Sequence, residues 1–233
     1  ITPLTLSGFA NMKALSKNNG KPSEVSKPFD KERDGFILSE GAGMLFLENL
    51  DSAQKRGAKI IGEIIGYGIT NDAYHITQPD NQSTGAINAI KMAIKEANIE
   101  LKDVDYINAH GTSTYFNDMI ETKAIKNVFG DYAEKVSISS TKSMTGHLLG
   151  AAGAIEAIAC IYAIKNNKVP PTINYKVPHP ECNLNYTPNI YADKNIFALF
   201  MQKNLGPPRS AGLVTLVHDF IDSYMQPRKA WQY

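Results

Sequence analysis

VSISSTKSMTGHLLGAAG, residues 136–153, is the most informative segment for the fold class. It begins with a β-branched run that predicts a strand at 136–139, and it then turns through hydroxyl-bearing residues. A long helix is predicted from His147 to Asn166, and small residues at 150–153 would let its backbone approach a neighbour closely. Strands that alternate with helices in this way indicate an α/β layered fold.

The same alternation continues on both sides of this segment. Strands are predicted at 44–47, 60–67, 105–108 and 213–217. Helices are predicted at 4–16, 51–56, 84–97 and 118–129, with the polar stretch 18–30 as a loop.

Composition excludes several classes of protein. The chain has 233 residues, is 43% hydrophobic and carries a formal net charge of +1, which suits a globular protein and not a general nucleic-acid binder. It contains no continuous apolar run of about 18 residues, so we expect no membrane span. Two cysteines, Cys160 and Cys182, are too few for a disulfide scaffold and have no metal-ligand spacing. Because the chain opens on Ile1 in mid-pattern, we expect that an upstream part is missing.

Two clusters of residues could carry chemistry. In NAHGTST, residues 108–114, a histidine follows a strand, which is where open α/β sheets bind ligands. In SSTKSMTGHL, residues 139–148, Lys142 and His147 lie five residues apart on a strand-to-helix turn. The exposed N–H groups of a helix start would disfavour a protonated His147. From the residues alone, structural roles for these side chains stay open beside an α/β enzyme with paired histidines.

The two clusters resemble the histidine motifs of β-ketoacyl-acyl-carrier-protein synthases, most closely the elongating type of bacteria and plastids. The resemblance extends from Ile1 to about Leu199 and includes DKERDGF (30–36), GAG (41–43), DAYH (72–75) and PPTIN (170–174). It implies a thiolase-like fold of stacked α-β-α-β-α layers, normally in a homodimer. The chain would then hold the end of the N-terminal half (1–76), the C-terminal half (77–218) and an atypical tail (219–233).

The resemblance implies a decarboxylative Claisen condensation of a malonyl thioester with an acyl thioester. By correspondence of motifs, His110 and His147 stabilise the malonyl oxygen, Lys142 organises the site and Glu156 supports that network. Thr112 and Thr114 match hydroxyls that bind the phosphopantetheine arm. Two further matches have equally plausible structural readings: Phe9 near the acyl pocket, and Lys13 facing the acidic acyl carrier protein. No metal or other cofactor is implied, and the location would be the bacterial cytoplasm or a plastid.

The sequence departs from the family at three places. The nucleophilic cysteine of the family lies upstream of the point that matches Ile1, and neither cysteine of this chain has its context. Tyr115 and Phe116 follow Thr114, where the family usually has a proline directly after the threonine. Residues 204–210 stand where the family has a glycine- and phenylalanine-rich gating loop, and 219–233 match nothing in it.

These departures leave alternatives to a condensing enzyme. One is a non-condensing partner subunit of the chain-length-factor kind, or a polyketide ketosynthase. Intact His110, Lys142 and His147 argue against a subunit that has lost its catalytic residues. Another is a domain without chemistry of its own, which a missing cysteine would fit.

Overall fold

The computed structural model describes residues 1–75, 78–188, 191–192, 198–204 and 211–218. The helices are α1 Pro3–Asn11, α2 Leu50–Lys55, α3 Thr84–Ala97, α4 Tyr115–Phe129, α5 Lys142–Thr145 and α6 Ala152–Asn166. The strands are β1 Glu63–Asn71, β2 Tyr106–Asn108, β3 Ser137–Ser139, β4 Lys168–Val169, β5 Tyr191–Ala192, β6 Ala198–Asn204 and β7 Ala211–His218.

Five of these strands form one mixed sheet in the order β1-β7-β6-β2-β3. Strand β2 lies parallel to both of its neighbours, so that Ile107 pairs with Ile138 of β3 and with Leu199 of β6. Strands β6, β7 and β1 are joined by antiparallel pairing. The carboxyl ends of β2 and β3 therefore lie side by side at one edge of the sheet.

Helices cover both faces of this sheet. On one face α3 and α4 bury an apolar core, to which β2 contributes Ile107. On the other face α6 packs Ala157, Cys160 and Ala163 against Tyr106. Adjacent residues of a strand point to opposite faces, so Tyr106 and Ile107 reach different cores. The arrangement is helix–sheet–helix, as an α/β layered fold requires.

Helix α3 matches its predicted extent, and its packing explains one glycine of β1. Asn98 ends the helix in the left-handed conformation at φ 52°, a usual way to stop a helix. A Cβ atom at Gly68 would lie 2.0 Å from the carbonyl oxygen of Ala89, so the helix could not approach the strand with any larger residue there. Close helix–sheet packing thus depends on glycine at this position.

Several boundaries differ from the sequence prediction. Helix α1 ends at Asn11, not Ser16, and Lys13 takes a left-handed φ of 54°. The long helix begins at Ala152 and not at His147, because 142–145 form the separate helix α5 and 149–151 form a 3-10 turn. Helix α4 begins three residues earlier than predicted. The described part of the chain does not include the atypical tail (219–233) or the residues at the proposed 76/77 division. Of the residues that stand in place of the gating loop (204–210), it includes only Asn204.

The strand predicted at 44–47 does not form among the described residues. Met44, Phe46 and Leu47 are 95%, 85% and 69% exposed instead. A continuous apolar run is typical of a strand that is covered on both faces. The described residues provide no neighbouring strand here, so the run stands open to solvent.

One helical stretch, Leu149–Asn166, has the length and composition that could cross a membrane, counting only the part of the chain that the structure describes. It includes the buried carboxylate of Glu156, and α6 packs on the sheet through its small residues. Core helices of proteins without a membrane span pass the same test. The expected absence of a span remains a prediction.

Candidate active site

The two histidine loops meet at the shared edge of β2 and β3. The ring centroids of His110 and His147 are 5.4 Å apart, at an interplanar angle of 84°. The backbone N–H of Ala109 donates to the carbonyl of Ser139 at 2.8 Å, which continues the pairing of the two strands into the loops. Parallel neighbouring strands therefore bring together two histidines that are 37 positions apart in the sequence.

His147 is held by the segment that follows the first helix. Its N–H donates to the carbonyl of Ile37 at 2.7 Å, and its own carbonyl accepts from the N–H of Ser39 at 3.1 Å. The Phe36 ring packs edge-on against the imidazole, with centroids 5.0 Å apart. The backbone of His147 is thus fixed as a bridge to a third part of the chain.

The His147 ring is neutral at physiological pH. Burial, followed by the positive charge of Lys142, lowers its pKa to about 3. Its Nδ1 accepts the N–H of Leu149 at 3.2 Å, so the single proton of the neutral ring lies on Nε2. A neutral ring was predicted from a helix start, but the larger cause is burial. The result is an imidazole that can donate one hydrogen bond from Nε2.

Lys142 and Glu156 form a buried ion pair beside the two histidines. The Lys142 ammonium contacts the Glu156 carboxylate, and the residues are 1% and 2% exposed. Burial raises the pKa of Glu156, while Lys142 opposes that shift. Helix α5 presents the lysine and the second turn of α6 presents the glutamate. The two helices together therefore hold a positive charge close enough to His147 to lower its pKa.

A carboxylate that the sequence did not single out holds the His110 loop. Glu121 of α4 accepts the backbone N–H of His110 at 2.6 Å and that of Gly111 at 2.8 Å. Burial raises the pKa of Glu121 to about 7, although these two hydrogen bonds act to lower it. Gly111 has φ 36°, and a Cβ atom there would lie 2.5 Å from the Cβ of Ser140. The two loops can touch at this point because the residue is glycine.

The hydroxyls of Thr112 and Thr114 lie together at the start of α4. Their Oγ1 atoms are 2.8 Å apart. The carbonyls of Thr114 and Tyr115 accept hydrogen bonds from the buried guanidinium of Arg33, at 3.2 and 2.8 Å. Asp118 of α4 lies 3.5 Å from that guanidinium. The sequence alone assigned no role to these residues. The only signal for Arg33 was its place in DKERDGF, and the only signal for Asp118 and Glu121 was their acidic character in α4.

The two remaining predicted residues lie in helix α1 and just after it. Phe9 is half-buried and contacts Phe36 edge-on at 5.3 Å, so it reaches His147 through one intervening ring. Lys13 is exposed just after α1. Phe9 therefore belongs to the apolar wall near the histidines, and Lys13 is a surface charge.

Neither cysteine of the chain is placed as a nucleophile. Cys160 and Cys182 are buried, and burial raises the pKa of both thiols, to about 11 for Cys182. A buried thiol with a raised pKa is a poor nucleophile. Among the residues that the structure describes, no cluster of three or more histidine, cysteine or acidic side chains could hold a metal ion.

Comparison with family models agrees with this site. The model "Beta-ketoacyl synthase, N-terminal domain" matches residues 1–53, and "Beta-ketoacyl synthase, C-terminal domain" matches 61–176. The chain belongs to the β-ketoacyl synthase family. A model described as "Protein of unknown function (DUF1329)" also matches residues 157–233 and so covers the atypical tail.

Curated relatives carry a common name, 3-oxoacyl-[acyl-carrier-protein] synthase 2. The protein from Synechocystis is 56% identical over 188 residues, which are 81% of this chain and 45% of that protein. The one from Coxiella burnetii is 51% identical over 188 residues, again 81% of this chain and 45% of the relative. The one from Staphylococcus aureus is 51% identical over 206 residues, 88% of this chain and 49% of the relative. The chain spans about half the length of these relatives.

Solved structures show the same fold. A ketosynthase of a type II polyketide synthase, in complex with its acyl carrier protein, superposes with a TM-score of 0.89 at 39% identity and covers 94% of this chain and 53% of its own. A β-ketoacyl synthase from Burkholderia phymatum gives 0.88 at 33% identity, over 94% and 52% of the two chains. The thiolase-like α/β fold that the resemblance implied is confirmed.

Proposed function

We propose that this chain provides the decarboxylation and condensation half of a 3-oxoacyl-acyl-carrier-protein synthase active in fatty-acid elongation. The observation that carries the proposal is the convergence of His110 and neutral His147 beside the Lys142–Glu156 pair. Negative charge appears on the thioester oxygen of a malonyl group as it loses carbon dioxide. Hydrogen-bond donors fixed in a buried site stabilise such a charge more than water does.

The chemistry follows from that charge. The bond between the malonyl α-carbon and its carboxylate breaks, and the electron pair forms an enolate whose oxygen accepts hydrogen bonds from the imidazoles, one of them from Nε2 of His147. The α-carbon then attacks the carbonyl of an acyl thioester, and the thiolate that carried the acyl group leaves. His147 can donate without acquiring charge because its pKa is about 3. Lys142 adds a positive charge that favours the enolate.

The acyl-carrying thiolate has to come from outside this chain. Both of its cysteines are buried with raised pKa values. We infer that the cysteine is supplied by the part of the family's sequence that this chain does not cover, as the resemblance to the family implies. The exposed apolar run at Met44, Phe46 and Leu47 supports this, because such a run suits a surface that another part of the protein covers.

Substrates would arrive on the phosphopantetheine of an acyl carrier protein, and no metal or redox cofactor takes part. The paired hydroxyls of Thr112 and Thr114 would bind the arm, exposed Lys13 would face the acidic carrier protein, and Phe9 would line the acyl pocket. We place the assembled protein in the bacterial cytoplasm or a plastid, as a homodimer. A chain-length-factor role is not favoured, because His110, Lys142 and His147 are intact and the curated relatives are named as synthases.

The test is to join this chain to the portion of the Synechocystis relative that carries the predicted thiol. This product is called the complemented chain below. With acyl- and malonyl-carrier protein it should form 3-oxoacyl product, whereas the chain alone should form none. Absence of product from a folded complemented chain that accepts the acyl group would contradict the proposed function.

A further inference from the structure

We propose that Arg33 is a positioning residue that clamps the loop Thr112–Tyr115 in the shape needed to bind the pantetheine arm of the substrate. The inference deepens the proposed function and rests on it for the identity of the arm. Arg33 belongs to DKERDGF, a motif to which the sequence alone assigns no function. In the structure its arginine reaches across to a loop about 80 positions later.

The guanidinium makes three hydrogen bonds to backbone carbonyls. Nε donates to Thr114 at 3.2 Å, one terminal nitrogen donates to Tyr115 at 2.8 Å, and the other donates to Asp30 at 2.8 Å. The side chain is fully buried, and the carboxylate of Asp118 lies 3.5 Å away. Asp118 also accepts a backbone hydrogen bond from Thr112. Arg33 and its counter-charge therefore hold both ends of the threonine pair.

The loop needs such support because its backbone is unusual. Ser113, between the two threonines, has a left-handed φ of 66°, which costs a residue with a side chain free energy. The segment around Arg33 compensates for this. The N–H of Lys27 donates to the Ser113 hydroxyl at 3.0 Å, and the N–H of Gly35 donates to the Ser113 carbonyl at 2.9 Å. The two hydroxyls face one another in this strained conformation and would be displaced by its relaxation.

Tyr115 makes the clamp more important in this chain than in relatives with proline. It occupies the first position of α4, where proline is favoured because its fixed φ already suits a helix start. In place of that rigid ring, the Tyr115 side chain packs under the Arg33 guanidinium at 5.2 Å and edge-on to His179 at 5.6 Å. The arginine thus restrains, by hydrogen bonding and stacking, a helix start that lacks the rigidity of proline.

The critical variant is Arg33→Lys in the complemented chain. It keeps the positive charge beside Asp118 but cannot present a planar fork to two carbonyls or stack on Tyr115. We expect KM for malonyl-pantetheine to rise about 10- to 100-fold. The malonyl thioester of ethanethiol, which has no arm, should show an unchanged KM and kcat. Arg56→Lys, at an exposed arginine paired with Glu48, is the matched control and should change neither.

Equal losses of activity with both thioesters would overturn the proposal, since they would indicate general damage to the fold. Unchanged KM and kcat with both thioesters would overturn it as well. Amide hydrogen exchange tests the clamp without turnover. Residues 111–116 should exchange at least about 10-fold faster in Arg33→Lys than in Arg56→Lys, while 142–147 stay protected. Unchanged exchange at 111–116 would refute the clamp. If the clamp holds in this measurement but neither thioester reacts in the unsubstituted complemented chain, the proposed function fails instead.

Discussion

Replacing Lys142 by methionine should destabilise the fold as well as abolish catalysis. The lysine and Glu156 are 1% and 2% exposed, and their charged groups are in contact. Lys142→Met leaves the carboxylate buried without its counter-charge, which typically costs about 3–5 kcal/mol. One kcal/mol shifts the thermal midpoint by about 2–4 °C for a domain of 150–250 residues and by less for a longer protein. The complemented chain is about twice as long as this chain, so its thermal midpoint should fall by roughly 5 °C.

The size of the loss should depend on pH. Burial raises the pKa of Glu156 and Lys142 opposes this, so removing the lysine raises that pKa further. A raised carboxyl pKa means that the folded state binds a proton that the unfolded state releases, so stability falls as pH rises above the ordinary glutamate value of about 4.5. The single variant should therefore unfold at a higher temperature at pH 5 than at pH 8.

The double variant Lys142→Met/Glu156→Leu separates stability from catalysis. It removes both buried charges, and such replacements are often neutral or stabilising. We expect its thermal midpoint to return close to that of the unsubstituted protein, without the pH dependence of the single variant, while carbon dioxide release from malonyl thioesters stays lost. A loss of less than about 1 kcal/mol in the single variant would show that the buried carboxylate does not depend on Lys142. A double variant no more stable than the single one would show the same.

Three further predictions concern neighbouring residues. A Glu121 pKa of about 7 makes stability decline between about pH 5 and pH 8, and this decline should disappear in Glu121→Gln. Thermal midpoints across that range measure the decline, and an unchanged decline would exclude Glu121 as its source. Gly111→Ala should lower turnover about 100-fold, because its methyl would collide with Ser140, whereas Gly150→Ala, with nothing within 4 Å, should be silent; similar rates for the two would be inconsistent with the close approach. The chain alone, incubated with acyl carrier protein that bears an acyl group, should gain no acyl mass at Cys160 or Cys182. Acylation at either cysteine would show that the nucleophile lies within this chain.

The sequence predicted those features of the fold that depend on neighbouring residues in the chain. Helix α3 was predicted where it is observed, because a stripe of apolar residues defines it without help from the rest of the chain. The meeting of the histidine loops also followed from sequence, since both loops follow strands, and the strands prove to be parallel neighbours. The roles of the individual residues came from the resemblance, because a lone histidine after a strand leaves a structural role open.

Features that depend on distant partners could not be predicted. Glu121 and Arg33 act on loops through backbone groups, and neither a motif nor an acidic residue in the sequence shows which backbone groups a side chain will contact. The separate helix α5 was not predicted, and neither was the bridge between Leu38 and His147 just after it, which joins distant parts of the chain. The strand predicted at 44–47 is absent because pairing requires neighbours that the described residues do not provide.

The most direct measurement of the central claim is the rate of carbon dioxide release from malonyl-carrier protein by the complemented chain and by its His147→Ala variant. We expect a loss of about 100- to 1000-fold in the variant, as is typical when one donor to a developing oxyanion is removed. Because the His147 pKa is about 3, the unsubstituted rate should show no inflection from this residue between pH 5 and pH 8. A variant that folds and retains near-normal decarboxylation would contradict the proposal that the two histidines form the oxyanion site.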